Sequence, residues 1–347
     1  MTIRHRLARF SAVLIAAAAL AGCAGRSGDM GKEPPAPKQP PAPPRAIAEP
    51  INQDLHARAR SVLEEATESS DPVMRTQGIE ALQNTVGAEA HDKILQGTSD
   101  ASWVVRFASA MAAGQIKLAD AHAPLVNMLQ DKNRSVQVAV RFALHRLGDT
   151  RYSHDLEKFA VDQDKSVRAN TAMVLGLLGE KSAIKILKVM SNDRENLVRL
   201  QAAEAMWQLG SEEGLDVLVA GTVSGAADDQ VISLLALAGP KDQRVSEHLR
   251  GKLVSPFDEV ALAAARAMGM IGSDRGYTIA QNGTKSGDPR QRAMAALALG
   301  AIGRSDAQPS LSRLVKDSDP YVKLAAATAL LQLKPPATQG AITKANQ

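Results

Sequence analysis

The sequence is poor in aromatic rings and nearly devoid of cysteine. Aromatics make up 3% of its 347 residues, while 45% are apolar, chiefly Ala, Leu and Val. A core with so few rings must be filled by small and medium aliphatic side chains. That suits helices packed closely on helices. It suits sheets poorly, because strands favour β-branched and aromatic residues. One cysteine, Cys23, excludes an internal disulfide. The apolar stretch from Phe10 to Ala21 is about a dozen residues, too short to span a bilayer as a helix. Also missing are Gly-x-Ser-x-Gly, a phosphate loop of the Walker type, Cys-x-x-Cys and His-Glu-x-x-His.

What is present begins with the compartment. Arg4, Arg6 and Arg9 precede the apolar stretch, which ends in Leu20-Ala21-Gly22-Cys23. A basic start, a short apolar run and small residues at its end form an export signal. The tetrapeptide resembles the lipobox of bacterial lipoproteins. The resemblance implies a signal peptide over 1–22, cleavage before Cys23 and a lipid on the Cys23 thiol. Ala24 follows where inner-membrane lipoproteins of Gram-negative bacteria carry aspartate. This implies an outer-membrane anchor facing the periplasm; a Gram-positive origin would place the protein on the outer face of the cell membrane.

Removing the signal peptide also removes the charge. The whole chain carries +4, but without Arg4, Arg6 and Arg9 only 38 basic residues face 37 acidic ones. A nucleic-acid binder keeps a strong basic excess, so nucleic acid is not an expected partner. Residues 23–50 form a linker after the lipidated cysteine. Pro34, Pro35, Pro37, Pro40, Pro41, Pro43, Pro44 and Pro50 crowd it. Proline fixes φ and removes an amide donor, so the stretch is expected to be extended, a stiff tether.

From residue 51 to 334 the sequence repeats itself. Val105, Val136, Val167, Val198, Val260 and Val322 differ by 31 residues or multiples of 31, and Met74, Asp229 and Gln291 fill the remaining slots of nine units. Counting from this column as position 0, position 7 is mostly alanine: Ala81, Ala112, Ala143, Ala205, Ala236, Ala267, Ala298 and Ala329. An upstream column reads Ile94, Leu125, Leu156, Leu187, Leu218, Leu249, Ala280 and Leu311. Within a unit, positions 0, 4, 7, 8 and 11 are apolar, which is one face of a helix. Gly148, Gly179, Gly210, Gly272 and Gly303 close units where a left-handed cap is expected. Asp71, Asp164, Asp288 and Asp319 open them near the N-cap position. No unit can bury its apolar face alone, so stacking must supply the stability.

The pattern Asp-x-x-Val-Arg-x-x-Ala-Ala-x-Ala-Leu-Gly resembles the short bacterial HEAT repeats, also called PBS-lyase HEAT-like repeats. Asp164, Val167, Arg168, Ala172, Leu175 and Gly176 carry it, as do Asp288, Arg292, Ala295, Ala296, Ala298, Leu299 and Gly300. The resemblance implies an all-α, right-handed α-solenoid of about nine two-helix units, with the second helix of each on the concave side. The stretch 225–241 departs most: Asp229 replaces the valine, and Pro240-Lys241 replace the closing pair. Irregular stacking is expected there. Residues 335–347 read as a polar tail with no capping helix for the last unit, which leaves self-assembly through the ends open.

Two sets of candidate residues follow. Position 1 is often basic, as in Arg75, Arg106, Arg168, Arg199 and Arg292. These arginines, with Asp71, Asp164, Asp288 and Asp319, are expected to form a structural Asp/Arg ladder between units rather than a row of anion sites. Positions 3, 6 and 10 should line the concave groove. Met111, Phe142, Arg146, Met173, Glu204, Leu235, Arg266, Met270 and Leu297 lie there, with Trp207 beside them. An apolar stripe where solvent is expected either marks an interface or is buried by curvature.

The reading is a lipid-anchored scaffold that binds a partner protein or peptide along the concave face. No metal and no cofactor beyond the lipid on Cys23 are expected, and the oligomeric state stays open. The alternative is a lyase- or hydroxylase-type enzyme or accessory factor with a metal or pigment in the groove. Deoxyhypusine hydroxylases and bilin lyases share the repeat. The hydroxylases' His-Glu pairs are absent here; His91-Asp92 and His154-Asp155 are the nearest approach.

Overall fold

A computed structural model describes residues 52–333. The signal peptide, Cys23, the Pro-rich linker and the 335–347 tail lie outside the described residues. Seventeen α-helices alternate between outer and inner layers. The inner ones are α2 (Pro72–Thr85), α4 (Trp103–Ile116), α6 (Arg134–Arg146), α7 (Lys165–Leu178), α9 (Asn196–Gln208), α11 (Ala227–Ala238), α13 (Asp258–Met270), α15 (Pro289–Ile302) and α17 (Pro320–Gln332). The outer ones are α1 (Gln53–Ala66), α3 (His91–Gly97), α5 (His122–Asn127), α8 (Ile184–Met190), α10 (Glu212–Gly221), α12 (Ser246–Lys252), α14 (Tyr277–Gly283) and α16 (Gln308–Leu314). Between α6 and α7 the outer element is a 3-10 segment, Thr150–Phe159. His154 and Asp155 therefore sit in a 3-10 segment instead of an α-helix.

The register read in the sequence is a packing register. The valines at position 0 are buried, and so is the whole upstream column from Ile94 to Leu311. Five of the nine inner helices start on a side chain that accepts their free amides, one of them on Asn133, which accepts from Ser135 and Val136 N–H. Asp71 accepts from Val73 N–H, Asp164 from Ser166, Asp288 from Arg290 and Asp319 from Tyr321. Pro72, Pro289 and Pro320 occupy the first turn, where a missing N–H loses nothing.

Position 12 turns the chain out of the inner layer with positive φ. Gly148, Gly179, Gly210, Gly272 and Gly303 do this, and at the same position Lys117 (φ 55°) and Lys241 (φ 60°) are the two non-glycines that adopt it. Pro240-Lys241 therefore keeps the turn that the sequence put in question.

Neighbouring inner helices meet through small residues. A Cβ added at Gly114 would lie 2.7 Å from Ala143 Cα, and one at Gly176 would lie 2.8 Å from Ala205 Cα. Position 9 of one unit thus rests on the position-7 alanine of the next, backbone almost on backbone. Trp207 stands at position 9 in its own unit and does the opposite. It is buried between α9 and α11, and its Nε1–H donates to Leu237 O at 3.1 Å. The irregularity expected near 225–241 is this wedge.

The stack has no open ends among the described residues. The last inner helix, α17, packs on α1 and α2 as other inner helices pack on the unit after them. Tyr321 O–H donates to Asp71 Oδ2 at 2.6 Å, and Asn52 N–H donates to Gln308 Oε1 at 3.1 Å. Nine units close into a ring. Curvature is also tight locally, since Arg290 reaches Asp228 at 3.3 Å across the intervening α13. The inner helices therefore face one another across the centre of the ring instead of lining an open groove, and the two ends, expected to be free for self-assembly, occupy each other.

Candidate functional site: joints and inner face

Four of the position-1 arginines make the same joint. Arg75 clasps Asp100 through Nε and Nη2, both at 2.8 Å. Arg106 holds Asp131 at 2.7 and 2.9 Å, Arg168 holds Asp193 at 2.7 and 2.8 Å, and Arg292 holds Asp317 at 2.8 and 2.9 Å. The third nitrogen of each donates to carbonyls in its own loop, such as Asp162 O and Gln163 O for Arg168. Paired guanidinium and carboxylate planes give directional, charge-assisted bonds. The arginines hold the carboxyls of Asp100, Asp193 and Asp317 below the usual carboxylate range.

The ladder's acids differ from the expected ones. Asp71, Asp164, Asp288 and Asp319 cap helices; the clasped acids lie 25 residues beyond each arginine, in the loop before the next inner helix. Asp100, Asp131, Asp162, Asp193 and Asp317 keep the 31-residue register, so the column was present in the sequence. Arg199 departs because Ser224 stands where its acid would be. It bonds Asp193 O, Arg194 O and Asn196 Oδ1 instead. Asp229, the residue that replaces the valine, takes up Asn196 and Ser224 and supplies the missing charge at that joint.

The concave candidates lie on the inner helices, but not as an exposed stripe. Met111, Phe142, Met173, Glu204, Leu235 and Leu297 are buried, while Arg146, Arg266 and Met270 are half-buried. Trp207 is an inter-unit wedge and not a groove contact; Arg244 covers its ring at 5.4 Å. The physical reason is closure, which turns each position-6 side chain toward its counterparts across the ring.

Three members of that column are ionisable. Burial pushes the Glu80 carboxyl up to about 8, and its Oε1 has no hydrogen-bond partner. Burial likewise pushes Glu204 up to about 7, against the amides of Gln201 (2.8 Å) and Gln208 (3.1 Å). Arg266 is pushed down to about 10 by burial alone. By surface it is half-buried. Glu80 was legible as a position-6 residue but not as a buried acid, because burial there depends on closure. Among the described residues no group of three His, Cys, Asp or Glu is placed to hold a metal ion, and no helix is long and apolar enough to cross a membrane. His91 instead bridges Asp92 and Asp120 on the outer layer, at 2.8 and 2.9 Å.

A stack of helix pairs joined by arginine–aspartate clasps defines an α-solenoid repeat protein. A family model for HEAT repeats matches residues 154–238 and 279–344. The two matched stretches are HEAT repeats. No curated protein matches its sequence. Among solved structures it is similar to the CpcE–CpcF complex of phycocyanin lyase from Nostoc sp., with 18% identity and a TM-score of 0.43 over 71% of this chain and 97% of that one. Human deoxyhypusine hydroxylase in complex with glycerol matches with 18% identity and a TM-score of 0.37, over 72% of this chain and 98% of that one. The karyopherin Kap121p, bound to the extreme C-terminus of the protein phosphatase Cdc14p, matches with 14% identity and a TM-score of 0.35, over 80% and 37%. These likenesses concern the fold alone.

Proposed function

We propose that the protein is a membrane-tethered interaction scaffold whose HEAT repeats dock a partner protein or peptide along the concave face of the inner helices. The observation that carries this reading is position 10 of the inner helices: Arg146, Leu177, Gln208, Met270 and Gln332 keep half-exposed surface while most of position 6 is buried. The column mixes apolar and polar side chains, as protein interfaces do, and methionine adapts to varied partners. The lipid on Cys23 and the Pro-rich linker would hold the ring at the outer membrane, on its periplasmic face.

Crosslinking pull-down from native membranes tests the reading. Wild type is compared with Leu177→Glu/Met270→Glu, two half-exposed positions, and the fold is checked by circular dichroism. A specific partner captured by wild type and lost with a folded double variant supports docking on that face. An unchanged partner set overturns it. The tether is tested separately, by mass spectrometry of the N-terminal peptide and by release of Cys23→Ser from the membrane fraction.

A further inference from the structure

We propose that the seam between α17 and α1 is an interaction surface for a second copy of this chain. In the monomer it is closed by the chain's own α1. When the ring opens, the α1 of another copy takes that place and joins the chains head to tail.

The helix α1 keeps the register of the outer layer. Its buried residues are Ala59, Leu63 and Ala66, which share one helical face. Each stands 31 residues before a buried counterpart in the next outer segment: Ala90, Ile94 and Gly97. Among the described residues α17 is followed by no outer helix, and α1 fills that place. It packs on both α17 and α2, as α16 packs on both α15 and α17. Nothing in this contact requires α1 and α17 to belong to one chain. The two faces differ, so the joint is heterologous, and such a joint either closes a ring or continues from copy to copy.

The seam is also built to release. Arginine–aspartate clasps lock four other joints. The acid's place in the register is Asp100, Asp131, Asp193 and Asp317 at those joints, and at the seam it is Ser69. The arginine's place on α17 is Lys323. Ser69 Oγ accepts from Asp71 N–H at 3.2 Å, so it shapes its own loop instead of gripping α17. Two hydrogen bonds cross the seam in place of a clasp, Tyr321 to Asp71 and Asn52 to Gln308.

Proximity decides which α1 wins. Matched ends of one chain meet at an effective concentration on the order of millimolar, so a ring that closes without strain stays a monomer below that limit. A chain whose ends cannot meet must pair with another copy.

The test compares the full-length chain carrying Cys23→Ser, so that neither lipid nor thiol joins copies, with the same chain lacking residues 260–290. The deletion removes one 31-residue unit and none of the four clasps. Sedimentation velocity is expected to show a monomer for the nine-unit chain. The eight-unit chain should be folded by circular dichroism, with a mass that rises with concentration. Tyr321→Phe in the eight-unit chain removes a hydrogen bond to a charged carboxylate and should weaken association about tenfold. A folded eight-unit chain that stays monomeric overturns the proposal. So does an assembly that Tyr321→Phe leaves unchanged, because the copies then meet elsewhere. If the eight-unit chain does not fold, the nine-unit chain decides. Refolded at rising concentration, it should yield a growing share of dimers, fewer with Tyr321→Phe; monomer alone at every concentration overturns the exchange.

Discussion

Asp193→Asn removes the charge from one joint while keeping its shape, and the geometry sets the size of the effect. The Arg168 and Asp193 side chains are only 7% and 13% exposed, so solvent screens them little. Two charge-assisted bonds are weakened, and the guanidinium keeps only the carbonyls of Asp162 and Gln163. Breaking a buried pair from one side costs about 3–5 kcal/mol, because a charge stays behind without its partner. We expect a loss of about 3 kcal/mol, discounted for the retained carbonyl bonds. Urea unfolding followed by Trp207 fluorescence is the assay, in a Trp103→Phe background. Trp207 lies on α9, the helix that follows the Asp193 loop, so it reports on that joint. Glu213→Gln is the control. Its partner Lys188 and Glu213 itself are about half exposed, and such pairs contribute below about 1 kcal/mol. Arg168→Met/Asp193→Leu, which removes both charges, should recover most of the loss. If Asp193→Asn lies within experimental error of the control, the clasps are surface decoration and the account of the joints is wrong.

Gly176→Ala should destabilise by about 1–3 kcal/mol in the same assay, since its Cβ would meet Ala205 backbone and neither helix can yield without moving its neighbours. Lys117→Gly should stabilise by about 1 kcal/mol, relieving the left-handed conformation that glycine adopts freely at the equivalent position of five other units; no gain in urea midpoint would refute this. Glu80 gives a pH signature. Its carboxyl is raised from 4.5 to about 8 in the folded state, so the unfolded chain releases the proton first. Stability should therefore fall as pH rises between those values and level off above the upper one. Glu80→Gln should flatten that slope and be the more stable protein at pH 8; parallel wild-type and variant curves would rule the buried acid out.

Much of this architecture was visible in the bare sequence, because a repeat writes its packing into a fixed period. The valines of position 0 and the Ile94-to-Leu311 column are the core that the 31-residue register named. Caps such as Asp164 and Gly179 followed from local backbone chemistry. The clasping arginines were named as joints between units, but the acids they hold were not. Asp100 and Asp193 were in register but unassigned, since nearer acids in the same pattern competed for the arginines. Trp207 could be seen as large, but not as the residue that replaces a glycine at a contact. Closure escaped entirely: no local pattern distinguishes a stack that stops from one that returns, and Tyr321 and Asp71 are 250 residues apart. The burial of the inward column escaped with it.

Closure also fixes how many units the chain can own. Nine joints must together turn through a full circle, about 40° each. Deleting one unit would ask every remaining joint to open by a few degrees more, or leave a gap as wide as a helix pair at the seam between α17 and α1. An open array lengthens or shortens one repeat at a time. This one is quantised. Its length is a property of the whole circle, and insertions are tolerated only where they leave the circle alone, in the turns of its outer rim.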